Sequence, residues 1–146
     1  MIALLQRVTE ASVRVQSHSV GSIGPGLLAL IGVVPRDSEA SAERLLQRLL
    51  SYRVFTDERG RMNRSLADTG GGLLLVPQFT LAADTDSGTR PGFSTAAPPP
   101  RAEALFDHLL QQARAQHAPV ASGLFGAHMQ VSLVNDGPVT FWLEAG

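Results

Sequence analysis

Two short runs of uninterrupted apolar residues constrain this chain more than any other feature. One is "GLLALIGVV", Gly26 to Val34, and the other is "LLLV", Leu73 to Val76. Gly24-Pro25-Gly26 and Pro35 bound the first; Gly71-Gly72 and Pro77 bound the second. Runs of this length with glycine and proline at both ends read as strands, and with no polar residue to offer water they belong inside a sheet. The second run raises a further question. It ends in proline and then steps through Gln78, Phe79 and Thr80 before turning apolar again.

The surrounding sequence supplies the layers that cover such strands. "ASVRVQ" alternates, with Val13 and Val15 on one face and Ser12, Arg14 and Gln16 on the other. Residues 39–51 change to a helical period, placing Ala42, Leu45, Leu46, Leu49 and Leu50 on one stripe, with Asp37 or Ser38 as the cap. "YRVF" resembles a short strand and "DERG" a turn. Residues 84–100 are rich in Gly, Pro, Ser, Thr and Asp and predict a long surface loop. A second helix is expected over about 101–117, with Ala102, Leu105, Phe106, Leu109, Leu110 and Ala113 in line and Pro100 in its first turn. At the C-terminus "MQVSLV" and "VTFWLE" alternate, joined by Asn135-Asp136-Gly137-Pro138. The expected fold is one α+β (or α/β) domain over residues 1–146, a mostly antiparallel or mixed sheet, or a barrel-like one, packed with two main helices.

Composition removes several chemistries. There is no cysteine, which excludes disulfides, thiolate nucleophiles and Cys-ligated zinc. All 12 basic residues are arginine, so lysine Schiff bases and a Walker lysine are excluded as well. A net charge of -1 argues against broad coating of nucleic acid but leaves room for a local arginine patch, with Arg36, Arg44, Arg53, Arg61 and Arg90 as candidates for phosphate contacts. His18, His108, His117 and His128 lack the spacing of a helical zinc pair and read as solvated histidines, so no metal site is expected. No Gly-x-Ser-x-Gly elbow is present. "MIALLQRVTE" is not a signal peptide, and no window approaches the roughly 18 apolar residues of a membrane span. The expected setting is the cytoplasm, without a membrane partner.

Two segments carry more than one reading. "NDGPVT" is built of turn formers between two alternating strands, which predicts a hairpin turn. Yet Pro138 removes a ladder donor at the start of the last strand. A cis Gly137-Pro138 bond would aim neighbouring carbonyls the same way, as a two-acceptor clamp for an amino group. "PQFTLA" reads either as a strand end with Phe79 buried and Thr80 capping, or as a place where free backbone N–H groups and the Thr80 hydroxyl face a reacting carbonyl. Such donors, aimed at a developing oxyanion, are worth about 2.7–4 kcal/mol each.

Taken together, "MIALLQRVTEASV", "GLLALIGV", "YRVF", "QFTLAAD", "RPGFS", "RAEALFD" and "MQVSLVNDGPVTFWL" give the chain a resemblance, over essentially its whole length, to the D-aminoacyl-tRNA deacylases, which strip D-amino acids from tRNA. The resemblance implies a homodimer with no metal or organic cofactor. Gly137-Pro138 of one subunit would enter the site of the other, cis, with its two carbonyls selecting chirality. Arg7 would orient that segment. Gln78, Phe79 and Thr80 would receive the ester. Thr80 is open to two roles, nucleophile or group that orients a water, and with no Cys, Lys or clear His base to assist its hydroxyl the second is expected. Phe125 and Met129 would form a surface for the terminal adenine, or else pack in the core. The family has serine where this chain has Pro77, so a role needing that hydroxyl or N–H cannot operate here. With Gln78 to Leu81 intact, the serine is expected to be dispensable. The implied partner is aminoacyl-tRNA, through its 3′-terminal adenosine and D-aminoacyl group. The competing expectations are a Thr80-assisted small-molecule esterase and a non-catalytic RNA-binding dimer.

Overall fold

The computed structural model describes residues 1–146. Eight strands and three helices follow in the order β1 (Ile2–Val15), β2 (His18–Ile23), β3 (Gly26–Gly32), α1 (Glu39–Ser51), β4 (Phe55–Thr56), β5 (Met62–Arg64), α2 (Leu66–Thr69), β6 (Gly72–Pro77), α3 (Pro99–Gln116), β7 (Val120–Ser122) and β8 (Gln130–Glu144). A single 3₁₀ turn, Phe79–Ala82, follows β6.

Strand β1 organises the sheet. Residues 2–8 pair with β3 and residues 11–15 with β2, while β8 runs antiparallel along residues 2–14. Because β8 occupies one edge of β1 throughout, β2 and β3 share the other. The apolar runs of β3 and β6 then pair in parallel, and β6 pairs in parallel with β7. The sheet is therefore mixed, and it curls until β2 approaches β7. A Cβ on Gly21 would come within 2.6 Å of the Ser122 carbonyl oxygen. The result is nearly a barrel. The outer edge of β8 pairs with no other strand.

The two faces of the sheet are covered unequally. Alternation sends Ala3, Leu5, Leu27, Ala29, Ile31, Leu73 and Leu75 to one side, where the apolar stripes of α1 and α3 close a core of 23 buried residues. On the other side a smaller cluster of 7 contains Val8, Ala11, Val13, Ile23, Leu28, Leu74 and Val76. Even- and odd-numbered residues of β1 share this second cluster because a bulge between Val8 and Glu10 shifts the strand by one residue.

The chain start locks the elements together. The α-amine of Met1 forms a fully buried ion pair of 2.5 Å with Asp37 Oδ1 and also donates to the Ala145 carbonyl. Asp37 Oδ2 accepts from the Val34 N–H at 2.8 Å, and the Asp37 carbonyl accepts from Arg101 at 2.5 Å. Asp37 and the Met1 amine thus together tie β1, the entry to α1, the start of α3 and the end of β8. Asp37 is consequently not the cap of α1. Ser38 is, in a reciprocal capping box with Ser41.

Other expectations are corrected in detail. Helix α3 begins at Pro99, and two prolines in its first turn cost nothing because the N–H groups there have no helical acceptor. Of "YRVF" only Phe55 joins a strand, with Thr56. The one-turn helix α2 and the short β7 were not legible in the pattern, so there are three helices rather than two. The two C-terminal segments are not the arms of a hairpin: both lie in β8 and run the same way along β1. Replacing Asp37 with alanine strands a buried ammonium, and breaking such a pair costs about 3–5 kcal/mol. Urea denaturation of Asp37→Ala should show a loss of that size, with the slope unchanged.

Candidate functional site

In the β1–β8 ladder Val8 faces Asn135 and Gln6 faces Thr140. Arg7 alone therefore stands opposite the four residues Asp136 to Val139, and the excess has to leave the ladder. Asp136, Gly137 and Pro138 stand exposed in a small loop on the strand edge. The segment that reads as a hairpin turn is thus an outgrowth from a strand that does not reverse.

The loop is held from below by side chains. Asn135 Nδ2 donates to the Arg7 carbonyl at 2.9 Å and to the Val139 carbonyl at 3.0 Å, closing the base of the loop. Asn135 Oδ1 accepts from the Thr140 hydroxyl at 3.3 Å, and Gln6 Nε2 donates to that hydroxyl at 3.3 Å. The Arg7 guanidinium donates through Nε to the Asp136 carbonyl at 3.0 Å and through Nη1 to the Val54 carbonyl at 2.7 Å. It also pairs with the Asp136 carboxylate at 3.5 Å. The rigid donor fork suits this task, since one cation reaches two carbonyls on different segments. Gly137 has φ +142, and a Cβ there would meet Val139 Cγ2 at 2.6 Å and Val139 N at 2.8 Å. Only glycine fits without displacement. The Gly137–Pro138 peptide is cis.

A second set of groups lies at the end of β6. The Gln78 N–H reaches the Ile31 carbonyl at 2.7 Å, and the Leu73 N–H, on the opposite edge, reaches the Pro119 carbonyl at 3.0 Å. Donors therefore alternate, and position 77 points the same way as 73 and 75, toward β7. Pairing with β7 ends at Leu75 and Ser122. Proline at 77 thus forfeits no ladder bond, which accounts for its presence on a strand buried on both faces.

The chain then turns sharply. The 3₁₀ turn packs onto the end of β3 at Gly32, where a Cβ would lie 3.1 Å from Leu81 Cβ. At the start of this turn the N–H groups of Phe79 and Thr80 meet no acceptor. The Gln78 amide and the Thr80 hydroxyl are in direct contact. Phe79 is 57% exposed, which corrects the reading of a buried strand-end residue, and its ring rests on Phe93 at 5.1 Å between centroids.

Gln78 borders a cavity of about 360 Å³ on the thinly covered face of the sheet, whose walls include Leu30, Val76 and Met129 and whose polar groups are Gln6, Gln78 and His128. The structure therefore brings Gln78 and Met129 together, with Phe79 and Thr80 following Gln78. It does not bring Gly137 or Pro138 to that cavity, nor Phe125, which leans on the large core instead. Met129 Sδ accepts from the Leu124 N–H at 3.3 Å. Gln6 was not singled out by sequence, His128 was read only as a solvated histidine, and the stapling of the loop by Asn135 and Thr140 had no place in that reading. A polar residue at the foot of a Gly-Pro step was the available signal. His117, expected in solvent, is bonded through Nε2 to the Gly71 carbonyl at 2.6 Å. No three His, Cys, Asp or Glu side chains gather closely enough to hold a metal ion.

A family model described as D-Tyr-tRNA(Tyr) deacylase matches residues 4–144. The chain belongs to this deacylase family. A D-aminoacyl-tRNA deacylase of Thioalkalivibrio sulfidiphilus (strain HL-EbGR7) is 69% identical over 144 residues, covering 99% of this chain and 97% of that protein. A solved structure described as c-Myc DNA Unwinding Element Binding Protein superposes with a TM-score of 0.95 at 39% identity, over 100% of this chain and 99% of that one. Another, described as a probable eukaryotic D-amino acid tRNA deacylase, has a TM-score of 0.84 at 20% identity over 98% of each chain, a likeness of fold.

The deacylase loop depends on Arg7, whose bonds to neutral carbonyls are of the charged kind worth about 1.5–3 kcal/mol each. In Arg7→Ala, amide exchange across Asp136–Val139 should accelerate at least tenfold, while exchange in α1 and α3 stays unchanged.

Proposed function

We propose that this chain hydrolyses the ester joining a D-amino acid to the 3′-terminal ribose of tRNA, releasing the free D-amino acid and tRNA. The observation that carries the reading is the exposed Asp136–Pro138 loop. It is braced by Arg7 and Asn135 yet touches nothing in its own subunit's cavity. Backbone carbonyls held this way, at the tip of an outgrowth, are suited to act on something outside the protomer. The relatives' names supply the substrate class.

In this reading two copies associate through the bare edge of β8 and the thinly covered face beside it, where Val131, Val134 and Trp142 are exposed. An unpaired edge of 15 residues with apolar side chains on show favours association. Each copy lends Gly137 and Pro138 to its partner's site. There the two carbonyls accept hydrogen bonds from the substrate ammonium, while the N–H groups of Phe79 and Thr80 receive the ester carbonyl. With both ends fixed, the α-carbon has two directions left. One is open, and the D side chain takes it; the other runs into main chain and excludes an L side chain. Glycine, lacking a side chain, passes.

Hydrolysis then proceeds by attack of water on the ester carbon. Negative charge builds on the carbonyl oxygen, where the two N–H groups stabilise it. The C–O bond to the ribose breaks, and the 3′-oxygen leaves with a proton relayed from the attacking water by the neighbouring 2′-hydroxyl. Thr80, in contact with the Gln78 amide, orients the water. Its hydroxyl has no base within reach to make it a nucleophile. Met129 lies on the cavity wall as an apolar surface for the terminal adenine. No metal or organic cofactor takes part. No helix is long and apolar enough to cross a membrane, and the proposed setting is the cytoplasm, where tRNA is charged.

A deacylation assay with matched D- and L-tyrosyl-tRNA should give at least a hundredfold preference for the D form; similar rates would overturn the reading. Thr80→Ala should keep a measurable rate, within about a hundredfold of wild type, with no acyl-enzyme trapped by acid quench in either protein. A larger loss together with a trapped acyl-enzyme would make Thr80 the nucleophile.

A further inference from the structure

The arginines are not spread evenly. Four of the 12 lie between Arg53 and Arg64, on the small β4–β5 hairpin, and all four are exposed. Only two carboxylates, Asp57 and Glu58, lie within this stretch, and none of the four arginines is in an ion pair.

The hairpin is built to present them. Asp57 Oδ1 accepts from the backbone N–H of Arg59 at 2.9 Å and of Arg61 at 3.0 Å, and the Asp57 N–H donates back to the Arg61 carbonyl at 2.8 Å. Those backbone bonds, that from Arg61 foremost, hold the Asp57 carboxyl below its usual range. Its charge is therefore directed into the turn and leaves the Arg59 and Arg61 side chains unpaired on either side of Gly60. At the root of the hairpin, Arg53 bonds Asn63 at 3.1 Å and Arg64 bonds the Asp68 carbonyl at 3.2 Å, with the Asp68 carboxylate nearby to both. A shallow depression of about 390 Å³ opens there, lined by Arg48, Ser51, Tyr52, Arg53, Met62 and Phe141. Cations around an aromatic and thioether floor are the chemistry of a polynucleotide contact, with phosphates on the guanidiniums and an apolar patch under a sugar or base.

Position supplies the second argument. The residue that leads into β4, Val54, is the one whose carbonyl Arg7 grips with Nη1, while Arg7 Nε holds the Asp136 carbonyl. One side chain thus spans from the hairpin to the Gly137-Pro138 loop. Wherever that loop meets an aminoacyl end, the hairpin stands next to it.

We infer that the β4–β5 hairpin, through Arg59 and Arg61 at its tip and Arg53 at its root, binds phosphates of the tRNA acceptor arm beyond the terminal adenosine. This rests on the deacylase reading for the identity of the RNA. It makes the hairpin a docking element distinct from the site of hydrolysis, so a protein of near-neutral net charge need hold only the end of its substrate.

The test is fluorescence anisotropy with labelled, uncharged tRNA between 50 and 200 mM salt, which reads binding without catalysis. R59Q/R61Q removes two exposed cations that hold no bond in the fold, and unchanged thermal unfolding verifies that the fold is kept. Two lost phosphate contacts should weaken binding about tenfold or more and make the slope of log K against log salt shallower by about 1.4–1.8. The control R14Q/R114Q, with the same change in net charge on other surfaces, should stay within about twofold of wild type. Equal weakening by both pairs, no effect of R59Q/R61Q, or no measurable tRNA binding by the wild type would each overturn the inference. Failure to hydrolyse D-tyrosyl-tRNA would sink the deacylase reading while leaving a hairpin-specific loss of binding in place.

Discussion

The grip of Arg7 on two carbonyls, those of Val54 and Asp136, is the interaction on which the rest depends. It follows from a mismatch in length. A single residue of β1 faces four of β8, so the surplus has to leave the ladder and its backbone has to find partners elsewhere. Arg7 and Asn135 supply them from the same few residues that create the mismatch. The loop gains a fixed shape without secondary structure of its own, and its remaining carbonyls are free to meet a ligand. A guanidinium is hard to replace here, because an ammonium offers no planar fork that reaches two segments at once.

The rest of the fold can be read as the support for that loop. Packing is concentrated on one face of the sheet, where α1 and α3 seal the large core, and the buried amine–carboxylate pair of Met1 and Asp37 fixes the ends of β1 and β8 relative to the helices. The opposite face carries a small cluster and the cavity bounded by Gln78 and Met129. A single chain thus presents a stiff strand pair with an open edge and, beside it, an apolar hollow lined in part by Val131 and Leu133 of β8.

Much of the architecture was legible because it depends on local chemistry. The two apolar runs became the central parallel pair β3 and β6. The stripes of residues 39–51 and 102–113 became the buried faces of α1 and α3, and of the glycine- and proline-rich residues 84–100 all but the last two, which open α3, became a loop. What was missed has a physical reason in each case. Strand β7 is too short for a period to register, and α2 is one turn held by a Ser65–Asp68 capping box. Ser38 took the capping role because Asp37 is drawn to an amine 36 residues away, a contact with no local signature. Pro77 costs the sheet no ladder bond only because β7 stops short of it.

The sequence by itself determined the central strands β3 and β6, the helices α1 and α3, the turn-forming residues at Asn135 to Pro138, and the Gln78-Phe79-Thr80 step, since each is written in the order of neighbouring side chains. Only the tertiary structure decided what these segments are for. Identical turn residues make a hairpin when the flanking strands pair with each other and an outgrowth when both pair with a third strand. That choice rests on the 14 residues of β1 at the far end of the chain, because hydrogen-bond partners in a sheet are chosen by register across space and not by adjacency along the backbone.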